Sequence, residues 1–83
     1  MRIVYFAWLR ERVGTHEEVV DLPSGVETVG DVITYLTGLD EEHAHAFAEP
    51  TAVRAALDRQ VSEHDAPIAE VREIAFFPPM TGG

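Results

Sequence analysis

The chain has no cysteine among its 83 residues. A disulfide framework, a thiolate zinc site and a cysteine nucleophile are therefore excluded, and any sulfur that the protein handles is not held on a side-chain thiol. Basic residues are also scarce, since there are six against 15 acidic residues and the formal net charge is −9. Because such a surface repels phosphate backbones and anionic lipids, we expect neither nucleic acid nor membrane as a partner. A basic protein surface fits this net charge better.

Long apolar runs are missing as well. The run at residues 3–9 is bounded by charged residues 10–12 and has no small-residue cleavage site, so it does not predict a signal peptide. No stretch approaches the roughly 18 apolar residues that a membrane span needs. The sequence therefore predicts a cytoplasmic protein. Its 46% hydrophobic and 25% charged residues predict one globular domain over residues 1–83, with residues 78–83 as a projecting tail.

Strand patterns lie at the two ends of the chain. Residues 2–9 are apolar on both alternating sets, which is typical of a strand inside a sheet, and a helical turn ending at Gly14 follows. Residues 17–22 predict a shorter strand that pairs antiparallel with the first. Residues 73–77 predict a closing strand. Pro78 and Pro79 stop it, because neither has an N–H to donate to a ladder.

The middle of the chain carries the helix signals. Thr28 and Asp31 have the spacing of a capping box. An apolar stripe follows at i, i+3, i+4 and i+7, formed by Val29, Val32, Ile33 and Leu36. Gly38 provides a stop. Asp40 is the predicted cap of a second, shorter helix that runs to Ala48 and is closed by Pro50.

Residues 51–61 fit two structures. Their alanines favour a helix by propensity, which is the prediction from pattern alone, whereas the alternation of Val53, Ala55 and Leu57 with polar residues allows a strand. Two strands, a helix and at least one later strand predict an α+β fold, with one main helix on one face of a mixed sheet. This is the element order of a β-grasp. We expect the first and last strands at its centre and the tail leaving from the middle of the sheet.

The tail consists of Met80, Thr81, Gly82 and Gly83. A glycine pair has no Cβ and can enter a channel too narrow for other dipeptides, and a carboxylate at its end is sterically open to attack. A rigid domain, a stiff Pro-Pro segment and a thin reactive tip are typical of a group carrier. The competing interpretation is that the glycine pair is a chance occurrence or a cloning scar.

Other candidate sites are weak. His43 and His45 are two residues apart, so on a helix their side chains diverge, and we predict surface histidines and no metal site. Glu17 and Glu18 also diverge and are predicted to be solvated charges. The sequence contains no glycine-rich phosphate loop and no serine-hydrolase or zinc-protease motif.

Three segments together resemble a known family. The chain ends in AFFPPMTGG, residues 6–14 read FAWLRERVG, and residues 61–67 begin with Val-Ser and end with Pro. These segments resemble the small, sulfur-carrying subunit of molybdopterin synthase, with a likeness that is weakest over residues 27–50. The resemblance implies a ubiquitin-like β-grasp with a flexible Gly-Gly tail. It also implies a strand within residues 51–61, with a turn at residues 58–59.

The resemblance implies a role for the tail. The Gly83 carboxylate would be adenylated by a ubiquitin-activating-like enzyme that uses ATP, and a persulfide sulfur donor would convert it to a thiocarboxylate. The sulfur would pass to cyclic pyranopterin monophosphate in the large catalytic subunit, and two transfers would make the dithiolene that holds molybdenum. A 2:2 heterotetramer with that subunit is implied too. No tightly bound cofactor and no general base are expected on this chain.

The family pattern also implies an interface around the tail. It places in that interface Phe77, Pro78, Met80 and Thr81, with Arg10 beside them at the end of the first strand. Alternation along the closing strand predicts that Phe76 belongs to the core and that Phe77 is the contact residue. Trp8, on an apolar strand, is predicted to be core more than interface.

Three alternatives stay open. The first is a sulfur carrier for a thiamine or amino-acid pathway, against which the Phe-Phe-Pro-Pro run at residues 76–79 argues. The second is a ubiquitin-like modifier whose Gly83 is joined to lysines on targets, which shares the adenylation step. The third is a non-covalent binding module, for which removal of Gly83 leaves the function intact.

Overall fold

The structure is a computed structural model that describes residues 1–79. The predicted carrier residue Gly83 and its neighbours Gly82, Thr81 and Met80 lie outside the described residues, so the roles expected of them stay predictions.

A mixed sheet forms the centre of the fold. Its strands are β1 (Arg2–Tyr5), β2 (Glu17–Val19), β3 (Arg54–Leu57), β4 (Gln60–Ser62) and β5 (Glu73–Phe77), in the spatial order β2-β1-β5-β3-β4. The strands β1 and β5 pair in parallel, and the other neighbouring pairs are antiparallel. The first and last strands are therefore central, and the predicted antiparallel pairing of β1 with β2 is confirmed.

The helices pack on one face of this sheet. They are α1 (Ala7–Val13), α2 (Val29–Thr37) and α3 (Glu41–Ala46), followed by a 3₁₀ turn at Pro50–Ala52. One hydrophobic core contains buried residues from all three helices and from β1, β3 and β5. This arrangement confirms the predicted α+β fold. None of the helices within residues 1–79 is long and apolar enough to span a bilayer.

The main helix α2 forms as its sequence predicts. The Thr28 side chain accepts a hydrogen bond from the Asp31 backbone N–H at 3.1 Å, and the Asp31 carboxylate accepts one from the Thr28 N–H at 3.1 Å. This capping box satisfies donors that have no partner within the helix. The four residues of the predicted apolar stripe are all buried.

The first strand is shorter than predicted. It ends at Tyr5, and α1 begins at Ala7, whose φ of 54° turns the chain out of the sheet. The prediction of a strand through residue 9 is wrong, because Leu9 and Val13 lie one helical turn apart and both reach the core on α1. The predicted end at Gly14 is confirmed. Gly14 adopts φ 91° and its N–H donates to the Arg10 carbonyl at 3.0 Å.

The segment 51–61 is not a helix. It contains β3, a tight turn and the start of β4, so the prediction from propensity is wrong and the strand implied by the family resemblance is confirmed. The turn places Asp58 and Arg59 at φ 46° and 74°. The Asp58 carboxylate accepts the backbone N–H groups of Arg72 and Glu73 at 3.1 and 3.0 Å. These bonds attach the turn to the start of β5.

Candidate partner-binding face and tail base

The sheet face opposite the helices is uncovered within residues 1–79, and we call it the open face. Successive residues of β5 alternate between the two faces. Ile74 and Phe76 are fully buried on the helix side, whereas Ala75 and the half-buried Phe77 lie on the open face. The placement of Phe76 in the core is therefore confirmed. The contact role of Phe77 stays a prediction.

A groove of about 450 Å³ runs along the open face. It is lined by Arg2, Val4, Phe6, Ala56, Arg59, Glu73, Ala75 and Phe77. Strand register places Val4, Ala75 and Ala56 side by side across three strands. Val4 and Ala56 are buried although they do not belong to the helix-side core. Two short alanine side chains in the central row, with larger side chains around them, explain why the face is concave.

The base of the tail lies at one end of this groove. Phe77 is the last residue of β5, which is flanked by β1 and β3, so the chain leaves from the middle of the sheet as predicted. Pro78 is half-buried and Pro79 is exposed. Because neither proline can donate a backbone hydrogen bond, the ladder ends at Phe77. The tail base therefore starts from a strand that is held on both sides.

Arg10 does not lie where the sequence placed it. It is an exposed residue within α1 and not at the end of the first strand, because the chain turns after Tyr5. It lines shallow hollows beside Glu11, and it is not among the residues that line the groove. The expected position of Arg10 on the first strand is thus wrong, and its role in partner binding stays a prediction.

Comparison with known proteins agrees with this architecture. The family model described as the ThiS family matches residues 3–83. The chain belongs to the ThiS family. The molybdopterin synthase sulfur carrier subunit of Escherichia coli (strain K12) is 30% identical over 83 residues, covering 100% of this chain and 99% of the relative. This full-length likeness confirms the resemblance seen at the termini.

Solved structures support the fold of this ThiS-family chain. The crystal structure of SAMP1 from Haloferax volcanii has a TM-score of 0.73 and 27% identity, covering 100% of this chain and 98% of that one. A putative molybdopterin converting factor, subunit 1, from Pyrococcus furiosus has a TM-score of 0.71 and 24% identity, covering 95% of each chain. The ubiquitin-like β-grasp fold is confirmed.

Trp8 lies at the border of the core in this ThiS-family chain. It is half-buried and packs against the core from α1, not from a strand. The Arg12 guanidinium lies 4.6 Å from the centroid of its ring. This cation–π contact covers the outer side of the indole.

A partly buried polar cluster on the helix side was not predicted from the sequence. The Tyr5 hydroxyl donates to Glu18 Oε2 at 2.6 Å, and His43 Nε2 lies 2.7 Å from the same oxygen. His43 Nδ1 lies 2.6 Å from Asp40 Oδ1. The predictions of a surface His43 and a solvated Glu18 are therefore wrong, whereas His45 is exposed as expected. The i, i+3 spacing of Asp40 and His43 was the local sequence signal for their contact, whereas no local pattern indicates the contacts with Glu18.

The geometry of the cluster determines its protonation. Both ring nitrogens of His43 face carboxylate oxygens, which only accept hydrogen bonds, so the doubly protonated ring is the form that satisfies both contacts. Burial opposes the charge, but the hydrogen bonds to Glu18 and Asp40 outweigh it and raise the pKa of His43. The backbone and side-chain hydrogen bonds from His43 lower the pKa of Asp40. Burial, with the bond to Glu18, raises the pKa of Tyr5.

This cluster joins elements and does not form a metal centre. Asp40 and His43 belong to the start of α3, Glu18 to β2 and Tyr5 to β1. Residues 1–79 contain no group of three or more side chains placed to hold a metal ion. Within the same residues every buried side-chain nitrogen and oxygen has a hydrogen-bond partner. The cluster is therefore a fully satisfied structural contact.

Proposed function

We propose that this ThiS-family chain is the sulfur-carrying subunit of a molybdopterin synthase. In this proposal the Gly83 carboxylate is adenylated, converted to a thiocarboxylate, and donates its sulfur to cyclic pyranopterin monophosphate to build the molybdopterin dithiolene. The observation that carries the proposal is the likeness to the Escherichia coli sulfur carrier subunit over the whole length of both chains. The Gly-Gly end of the sequence gives the reaction an unhindered carboxylate.

The chemistry requires activation before sulfur transfer. A carboxylate is a poor acyl donor because its leaving group is oxide, so an activating enzyme attaches AMP from ATP and releases pyrophosphate. A persulfide donor then attacks the acyl carbon and expels AMP. A second thiol then attacks the donor's own sulfur in the acyl disulfide so formed, makes a disulfide with the donor, and releases the transferred sulfur as the thiocarboxylate of Gly83. Dividing one difficult displacement into several easier ones is the usual gain of covalent catalysis.

In this scheme the chain contributes a tail base that is fixed between two strands and a face on which the partner docks. The strand β5 lies between β1 and β3 and fixes the point at which the tail begins. The groove beside Phe77 provides apolar surface next to that point. We assign the open face to the larger catalytic subunit, with Phe77 and Pro78 as contacts, and we assign the catalytic side chains to that subunit. The 2:2 assembly belongs to the same proposal.

The test is the intact mass of the protein after incubation with its activating enzyme, ATP and a sulfur donor. We expect the mass to rise by the replacement of one oxygen by sulfur, localised to Gly83, and the product to convert cyclic pyranopterin monophosphate when the larger subunit is added. The matched control is the chain that lacks Gly83. It should unfold at the same denaturant concentration as the full chain, since a terminal glycine has no side chain to add to the core, and should gain no sulfur. Sulfur transfer by the shortened chain would contradict the proposal.

A ubiquitin-like protein modifier is the second candidate. The observation that favours it is the likeness to the crystal structure of H. volcanii small archaeal modifier protein 1, with a TM-score of 0.74 and 25% identity over 96% of this chain and 97% of that one. The 83 residues contain no lysine, so one copy offers no ε-amine to another. This candidate therefore predicts single-copy isopeptide adducts on target lysines, detectable by mass spectrometry, whereas the carrier predicts a thiocarboxylate.

A further inference from the structure

Exposed apolar side chains concentrate on the open face. Four large hydrophobic side chains within residues 1–79 are strongly exposed, and three of them are Phe6, Val19 and Val61, at 49%, 78% and 59%. Phe6 lines the groove, and register places Val19 opposite Arg2 and Val61 opposite Ala56. The apolar surface thus continues from the groove onto both edge strands.

The charges on the open face differ from those of the chain as a whole. Register and groove lining place on this face Arg2, Arg54 and Arg59, against Glu17 and Glu73. These residues carry three positive and two negative charges, and Glu63 lines a hollow together with Arg54, so the face is close to neutral although the chain has a net charge of −9. Half of the six basic residues lie there. Acidic charge is thus concentrated away from the apolar surface.

The three arginines are not equivalent. The Arg2 guanidinium is already paired with Glu17 at 2.9 Å and with Glu73 at 3.5 Å. Neither Arg54 nor Arg59 forms an ion pair with a carboxylate in residues 1–79. Arg54 lies opposite Phe77 in the sheet register, next to the tail base, and Arg59 lines the groove towards the β3–β4 turn. Two unpaired guanidinium groups therefore stand at opposite ends of an apolar surface.

We infer that the open face binds an apolar protein surface that presents carboxylates to Arg54 and Arg59. The occupant to which this assignment commits is the larger synthase subunit, so the inference rests on the proposed function and adds the chemistry of its contact surface. Guanidinium groups pair well with carboxylates at interfaces, and a like charge opposite them is strongly unfavourable. The expectation of a basic partner surface, drawn from net charge, therefore does not apply to this face.

Charge reversal at the two arginines tests the inference. The affinity of the purified larger subunit for wild-type protein, Arg54→Glu and Arg59→Glu is measured by titration calorimetry. We expect each reversal to weaken binding about tenfold or more, with a smaller loss for Arg54→Gln and Arg59→Gln, which remove the charge without reversing it. The matched control is Arg12→Glu, which makes the same change of charge on α1 and should change affinity by less than about twofold.

The outcomes separate this inference from the function on which it rests. Thermal unfolding of each variant shows whether it is folded. If a glutamate variant does not fold, the glutamine variant at the same position is used for the binding measurement. If wild-type protein does not bind the larger subunit, the proposed function and this inference both fail. If it binds, and both arginine reversals behave like Arg12→Glu, the carboxylate surface is refuted while the carrier function stands. Selective loss at Arg54 and Arg59 supports the inference.

Discussion

The two faces of one sheet differ although the same strands build both. On the helix side, Ile74 and Phe76 of β5 are fully buried beneath helices. On the open face, the alternate residues Glu73, Ala75 and Phe77 line a groove. Alternation lets one set of side chains on β5 stabilise the fold and leaves the other set available for the proposed partner contact. Neighbouring substitutions on β5 should therefore separate effects on folding from effects on binding.

The largest expected change in stability comes from the β5 side chains that are buried under the helices. The Phe76 ring packs 5.1 Å from the Phe47 ring and 6.4 Å from the Tyr5 ring, centroid to centroid. We expect Phe76→Ala to lower the free energy of unfolding by about 3–5 kcal/mol, through lost burial and the cavity left behind. Denaturant unfolding measures it. A loss below about 1 kcal/mol would mean that this side of β5 is not the core.

An intermediate effect concerns the polar cluster on the same side. The pKa of His43 is raised in the folded protein, so the folded state binds the proton more tightly than the unfolded chain. The stabilisation is therefore fully present below about pH 6.5, the ordinary histidine value, and is lost as pH rises through the folded pKa. We expect His43→Gln to cost about 1–3 kcal/mol at mildly acidic pH and less at alkaline pH.

The measurement is the difference in unfolding free energy between wild-type protein and His43→Gln, taken from mildly acidic to alkaline pH. His45→Gln is the matched control, because His45 is exposed on the same helix. Its difference from wild type should be close to zero at every pH. A cost of His43→Gln that does not change with pH would refute the doubly protonated ring.

The smallest expected effect is a loss of binding affinity caused by a substitution on the open face. Phe77 lies at the end of the groove where the tail begins. We expect Phe77→Ala to weaken binding of the larger subunit by about 1–2 kcal/mol, as truncation of an aromatic anchor does, with a smaller effect on unfolding than Phe76→Ala. Calorimetric titration and denaturant unfolding measure the two effects. Unchanged affinity would mean that Phe77 does not contact the larger subunit and that the open face of β5 has no role in binding it.

Much of the fold was predictable because its signals are local. The capping box at Thr28 and Asp31, the stripe of α2 and the central position of β5 follow from spacing and composition. The end of β1 did not follow, since an apolar run fits a buried strand as well as the start of a helix. The one-turn spacing of Leu9 and Val13 was the signal that separated them.

The site was predictable only where one strand contains it. Alternation alone placed Phe76 and Phe77 on opposite faces. The contact of His43 with Glu18 joins residues 25 positions apart, and Arg54 reaches the side of Phe77 only through the β3–β5 pairing. Such pairs become neighbours through strand register and helix packing, which no local pattern encodes. The strand in residues 51–61 likewise came from family resemblance, since alanine propensity favoured a helix.

The parallel pairing of β1 with β5 has a consequence for synthesis. Residues that begin the chain pair with residues 73–77, so Ile3 meets Ile74 in the centre of the sheet. Contacts between such distant residues form slowly, because bringing the two ends of a long chain together costs loop-closure entropy. While a ribosome is still making β5, strands β1 and β3 lack their common neighbour. A chain released before β5 is complete therefore lacks the centre of the domain.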